Sequence, residues 1–328
     1  MNFLERSLGP GKDPGCIMPE PFTTNRELTG HPEVPQDDEG LFEMRNRTLL
    51  RFQWIVPILV TAAFLMMPSV SSAQTACTPT INSCGCTITG PGSYKIGLAI
   101  NSTQGLTSNN ACIEIASSFV IFDAGKKTIT GPGRVTPTGI GILVHRNFRS
   151  IFLEGRGTVI SGWDVGLLIQ GRQVVADDFT ANSNGTAGIE LNKAEAVELT
   201  SPTASSNLNY GIWVNHTSTS DITNSKTLTN GNIGLYVGCS NIGPVSAGCP
   251  GGPSPGNYIF TGSIAGNTNY GVALDIGAKS TIVTNQTLSG GTHNSKDDLF
   301  DANSSCGSNK WFANDSTATN NQPGGCIK

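Results

Sequence analysis

The sequence predicts an all-β solenoid, a chain wound into stacked coils of short parallel strands. Three observations predict it. Gly188, Gly211 and Gly234 recur 23 residues apart. Each is followed directly by an apolar residue, with a second two places further on: Ile189 and Leu191, Ile212 and Val214, Leu235 and Val237. The intervals are rich in Ser, Thr, Asn and Gly and poor in helix formers. A fixed period of roughly 20–50 residues is the signature of a repeat architecture.

The repeat extends in both directions. Downstream, Gly271 with Val272 and Leu274 follows after a 37-residue step. Upstream, Gly166 with Leu167 and Ile169, and Gly141 with Ile142 and Val144, fit at steps of 22 and 25 residues. Looser copies begin at Cys112 and Asp298. G-[IVL]-x-[LVI] has period two and reads as a strand with alternate side chains on opposite faces. A second apolar pair later in each period, such as Ile151 and Leu153, Val197 and Leu199, or Ile222 and Leu228, predicts a further strand. Asparagines at Gly−4, Asn184, Asn207, Asn230 and Asn267, are expected at left-handed turns and also as a coil-to-coil ladder.

These residues resemble the right-handed parallel β-helix of the pectin-lyase-like superfamily, with its short β-helix repeats, over roughly Cys112 to Asn314. The resemblance implies about eight coils closed by N- and C-terminal caps. A leucine-rich repeat has a similar period but requires an L-x-x-L-x-L framework, which is missing.

Taken in order, residues 1–43 are polar and aperiodic and read as disordered or as an over-called extension. From Met44 a basic stretch, a 14-residue apolar run and Ser71-Ser72-Ala73 form the three regions of a signal peptide, 44–73. The run is short for a membrane span and contains Pro57, so no stable span is expected after cleavage. Residues 74–111 would cap the first coil, 112–305 form the helix and 306–328 the C-terminal cap, with 240–257 a Gly/Pro-rich inserted loop. Residues 74–328 hold 14 Lys+Arg and 15 Asp+Glu without a basic stripe, which argues against nucleic acid as a partner. Eight of the nine cysteines lie there, and the even count predicts disulfides in a secreted, periplasmic or cell-envelope protein. Spacing favours Cys239 with Cys249 and Cys306 with Cys326. Cys77, Cys84, Cys86 and Cys112 are expected to pair among themselves, in a connectivity the sequence leaves open. Sequons occur at Asn101, Asn184, Asn215, Asn285, Asn303 and Asn314.

Alternation assigns the faces. Gly+1 and Gly+3 point inward, and Gly+2 and Gly+4 outward. The outward rows then carry Leu143, Leu168, Glu190, Trp213, Tyr236 and Ala273, and beside them His145, Gln170, Asn192, Asn215, Gly238 and Asp275. Trp213 and Tyr236, read as an exposed aromatic pair, with His145, Gln170, Asn192, Asn215 and Asp275, are the expected substrate-binding set for a sugar chain. Aromatic faces suit sugar C–H surfaces, and amides and carboxylates suit hydroxyls. In the resembled superfamily the substrate groove lies on this same sheet. Glycoside hydrolysis needs two carboxyls, and Glu190 with Asp164 is the best-placed pair.

The superfamily's own active-site patterns are missing. No G-H-G or R-I-K follows Asp177-Asp178, no D-P-H-D occurs, and no clustered acids accompany Arg146, Arg149, Arg156 and Arg172 as calcium ligands would. No cofactor or metal is therefore expected, and Ca2+, the metal of the pectate-lyase-like enzymes, is an alternative that no residue pattern supports. The sequence reading is an exported solenoid that binds a polysaccharide, with lyase or glycoside hydrolase chemistry if it is an enzyme. A non-enzymatic structural or adhesion module is the alternative.

Overall fold

The repeated glycines mark places where successive coils touch. A Cβ on Gly141, Gly166, Gly188, Gly211, Gly234 or Gly271 would stand 2.5–2.9 Å from the carbonyl oxygen of the equivalent residue on the next coil. That approach is to backbone, which cannot swing aside, so only glycine fits. Register skips the glycine: Val165 pairs with Ala187, and Leu167 then pairs with Ile189.

The computed structural model describes residues 75–102, 105–134, 138–238, 254–287, 294–315 and 327. The chain divides into two units, residues 1–67 and 68–328, and the described residues all belong to the second. They form stacked parallel sheets. Sheet A has ten strands, among them Ala111–Ile115, Ile140–Val144, Val165–Ile169, Ala187–Asn192, Tyr210–Asn215, Ile233–Val237, Tyr270–Leu274 and Asp297–Asp301 in spatial order. Sheet B has thirteen, including the long strands Arg149–Ser161, Arg172–Asn182 and Asp221–Leu228. Every recorded strand pairing is parallel, which makes the chain a β-helix whose coils rise about 4.8 Å each. Cys86–Ile88 and Gly92–Ile96, in the stretch expected as an N-terminal cap, are strands of these same sheets, as is Lys310–Phe312 near the other end.

Corners stack as strictly as strands. In sheet B the long strands bend at Arg156, Asp178, Ser201, Asn224 and Thr261, whose φ angles lie between 50° and 55° on successive coils. Left-handed backbone at a non-glycine residue is costly singly. Here each bend lies on an identical one, so the ladder resumes beyond it.

The Gly−4 asparagines have a different role from a turn residue. Positive φ falls on the residues just before them, Ser183, Ser206, Thr229 and Gly266. Asn184, Asn207, Asn230 and Asn267 point inside and are 0–1% exposed. Asn207, Asn230, Asn267 and Asn294 each offer Oδ1 to the previous asparagine's N–H and Nδ2 at 2.8–3.2 Å, and Asn184 at the head of the row accepts Trp163 N–H. Asp298 ends the row. Its Oδ1 accepts Asn294 Nδ2 at 2.7 Å, and a carboxylate, having no N–H of its own, needs no acceptor beyond it.

Gly+1 and Gly+3 side chains fill the core, as alternation predicts: Ile142, Val144, Leu167, Ile169, Ile189, Leu191, Ile212 and Val214 are all 0% exposed. Sheet B contributes Ile151, Leu153, Val197, Leu199 and Ile222. Leu228 does not join them. The bend at Asn224 shifts the alternation, and Ser225 and Thr227 face inward instead.

Disulfides Cys77–Cys86 and Cys84–Cys112 staple the first strands to one another. Cys306 is also disulfide-bonded; Cys326, its expected partner, lies outside the described residues, as do Cys239, Cys249 and the segment read as a signal peptide. Among the described residues no helix is long and apolar enough to cross a membrane.

Candidate functional site

Sheet A turns one row of side chains outward at Gly+2. Register stacks Glu114, Leu143, Leu168, Glu190, Trp213, Tyr236, Ala273 and Phe300 in that order. The row divides at Glu190.

On one side lies a groove of about 280 Å³, lined by Asn109, Ile140, Leu143, His145, Arg146, Leu168 and Gln170. Leu143 and Leu168 form its floor, and His145 and Gln170 are half-buried at its side. The apolar floor is a surface for C–H groups, and the amide and imidazole are hydrogen-bonding groups for hydroxyls. One coil further, beside Leu168, is Glu190.

Glu190 is 6% exposed. Its Oε1 accepts Asn192 Nδ2 at 2.9 Å and Asn215 Nδ2 at 3.1 Å. Burial pushes its carboxyl above the ordinary carboxylate range, the two amides oppose that shift, and the charge of Asp164 adds to it. Asp164 itself accepts Thr186 N–H at 3.2 Å and Thr186 Oγ1 at 2.7 Å. Asn215 Oδ1 meets His216 Nδ1 at 2.7 Å. With the amide's Nδ2 committed to Glu190, Asn215 Oδ1 is the acceptor in that contact and His216 Nδ1 the donor.

Next to the groove the chain turns into sheet B through a basic corner. Arg146 and Arg149 are exposed, and Arg149 pairs in register with Arg172. Like charges directly opposite in a sheet repel. Arg172 is partly compensated by Glu195 at 3.2 Å. Asn147, Arg149 and Arg172 line a second recess of about 460 Å³.

On the other side of Glu190 the face is closed. Trp213 and Tyr236, expected to stand exposed, are 6% and 0% exposed. Tyr210 lies between them, with ring centroids 5.1 Å from Trp213 and 5.2 Å from Tyr236. Trp213 Nε1 donates to Gly238 O at 2.8 Å, and Tyr236 Oη donates to Asp275 Oδ2 at 2.8 Å. Asp275 is also 0% exposed, and its Oδ1 accepts Ile276 N–H. The polar tips of these residues are occupied inside the protein. Tyr270 packs on Phe300 at 4.7 Å.

The structure thus divides the predicted residues into three groups. His145 and Gln170 share the groove, Glu190 is bonded to Asn192 and Asn215, and Trp213, Tyr236 and Asp275 belong to an aromatic packing cluster. Sequence reasoning passed over Thr186, Asn109 and Glu114. Glu114 was detectable, because it occupies the Gly+2 position of the copy that begins at Cys112. Asn109 Nδ2 donates to it at 2.6 Å. Among the described residues no three His, Cys, Asp or Glu side chains are placed to hold a metal ion.

No family model matches the chain, and no curated protein matches it. Among solved structures it is similar to the Dettilon tailspike protein (gp208), at 11% identity and a TM-score of 0.33. The match covers 70% of this chain and 62% of that one, so the chain spans less than two thirds of the tailspike's length.

Proposed function

We propose that the protein is an exported, capped, right-handed parallel β-helix of about eight coils that binds a polysaccharide along the groove half of sheet A and hydrolyses it through Glu190 and Asp164. One observation carries this reading: a buried, amide-held Glu190 with a raised pKa stands one coil beyond an open groove, next to Leu168 of its lining, and feels the charge of a second carboxyl, Asp164. A carboxyl whose pKa is raised by burial holds its proton to higher pH than an ordinary carboxyl, and a protonated carboxyl can protonate a glycosidic oxygen as the C–O bond breaks. Asp164, held by Thr186, takes the proton of the water whose hydroxyl ends on the sugar carbon. His145 and Gln170 extend the site along the polymer, as parallel coils present equivalent positions at regular intervals. The guanidinium groups of Arg146, Arg149 and Arg172 favour a polymer that carries anionic groups.

The test is a screen of the purified protein against acidic and neutral polysaccharides, reading both binding and new reducing ends. Loss of a general acid costs about 10²–10⁴ in rate, so Glu190→Gln should abolish product while His145→Ala and Gln170→Ala weaken binding. Product formation unchanged in Glu190→Gln and Asp164→Asn defeats the catalytic reading. Absence of binding by the folded protein defeats the glycan reading altogether. A non-enzymatic envelope or adhesion module then stands, and the burial of Trp213 and Tyr236 favours it, since the large aromatic side chains of this face serve packing.

A further inference from the structure

Two features of the chain constrain where it can fold, and together they select a compartment. The first is oxidation. Cys77–Cys86 and Cys84–Cys112 are formed, and Cys306 is disulfide-bonded. Each such bond takes two protons and two electrons from a thiol pair, which pass to a disulfide-bearing oxidant that leaves as a dithiol. Bonds of this kind persist in exported proteins and are rare in reducing cytosol.

The second is the placement of the sequons. Transfer of an oligosaccharide from a lipid pyrophosphate donor replaces one hydrogen of an asparagine Nδ2, with the pyrophosphate as leaving group. Asn184-Gly185-Thr186 satisfies the sequence requirement. Yet Asn184 is 0% exposed, and its Nδ2 donates to Ile160 O and to Asn207 Oδ1, both at 3.2 Å. Even a methyl group does not fit there, since a Cβ on Gly166 would come within 2.9 Å of that nitrogen. A sugar on Asn184 would remove a rung of the ladder and force open the space between two coils. Asn215-His216-Thr217 repeats the conflict more mildly, with Asn215 8% exposed and its Nδ2 on Glu190. Asn101, by contrast, is exposed.

We infer that this protein matures in an oxidising compartment that does not N-glycosylate its cargo, a bacterial-type periplasm or exterior rather than a glycosylating secretory lumen. Glycan transfer acts on the extended chain before it folds, so the buried sequon is vulnerable whenever the transferase is present. The fold therefore excludes a modification that the sequence invites.

The experiment directs the full chain into a bacterial periplasm and, separately, into a glycosylating eukaryotic secretory pathway. It is run with and without a chemical block of lipid-linked oligosaccharide synthesis, and protease-resistant protein is recovered from each arm. The expected result is folded, disulfide-bonded protein from the periplasm. In the glycosylating host, secreted folded protein should be at least tenfold lower than with glycosylation blocked, and glycopeptide mapping of the retained chains should find sugar on Asn184. Thr186→Ala with Asn215→Gln removes both buried acceptors and should restore secretion without the block; Thr186→Ser with wild-type Asn215 should not. Folded, secreted protein carrying a glycan on Asn184 overturns the inference. Equal secretion of wild-type chain with Asn184 unmodified, block or no block, overturns it as well.

Discussion

Along sheet A, Leu143, Leu168 and Glu190 occupy the same outward row as Trp213, Tyr236 and Ala273, in unbroken register. In the first group Leu143 and Leu168 line an open groove whose rim includes Arg146, and Glu190 follows one coil beyond. The second is sealed, its rings stacked and its polar tips bonded to Gly238 O and Asp275. Backbone geometry is the same in both, so the difference resides in side-chain size. Small and aliphatic residues at Gly−1 and Gly+2 leave space between rows. Tyr210 at Gly−1 fills it and brings the aromatic rings into contact with one another. A repeat thus determines where a side chain points, and its neighbours on adjacent coils determine whether anything else can reach it.

The largest expected effect belongs to the asparagine row inside both regions. Asn207→Ala removes the acceptor for Asn184 N–H and Nδ2 and the donor to Ala181 O and Asn230 Oδ1. Leaving buried polar groups unpaired costs about 1–3 kcal/mol each, so a loss of roughly 3–5 kcal/mol is expected in urea unfolding. Trp213→Ala should follow, at about 3–5 kcal/mol for truncating a buried aromatic, with glycan binding at the groove retained. If Trp213→Ala instead weakened glycan binding and left stability alone, the division between the two regions would be wrong. Gly211→Ala should cost about 1–3 kcal/mol through overpacking, since its Cβ would meet Gly234 O at 2.5 Å. His145→Ala on the groove side should change stability by less than about 0.5 kcal/mol and be read in binding instead.

The pH dependence sharpens the contrast. Glu190 has a folded pKa raised by burial, with Asp164 adding to the shift. The native state therefore holds this proton more tightly than the unfolded chain does. Its contribution is fully present below the unfolded carboxylate pKa of about 4.3 and declines as pH rises through the raised folded value. Chemical denaturation from pH 4 to 8 should show that decline, and Glu190→Gln should flatten it. An identical pH profile in wild type and variant would mean that Glu190 titrates as an ordinary surface acid.

Much of the scaffold was legible in the residues. The 23-residue spacing located the sheet A strands from Ile140 to Leu274, and the alternation after each glycine assigned inside and outside correctly. Other features depended on contacts between coils. The recurrence of asparagine was visible, but its left-handed role was not the one the structure shows: Ser183, Ser206 and Thr229 turn the corner while the asparagine bonds inward. Leu228 looked like a core residue because a period of two was carried across a bend that no residue type announces.

By itself the sequence determined the parallel stacking, because a glycine every 23 residues flanked by alternating apolar side chains can bury its surface only against copies of itself. It also placed Glu190 and Asp164 on neighbouring coils. Only the tertiary structure decided that Glu190 is buried and amide-held, that Trp213 and Tyr236 are closed off, that Cys77 pairs with Cys86 and Cys84 with Cys112, and that the Asn184 sequon is inaccessible. Exposure and much of the bonding depend on side chains 22 or more residues away in sequence but one coil, about 4.8 Å, away in space, and a local pattern carries no record of what those neighbours leave uncovered.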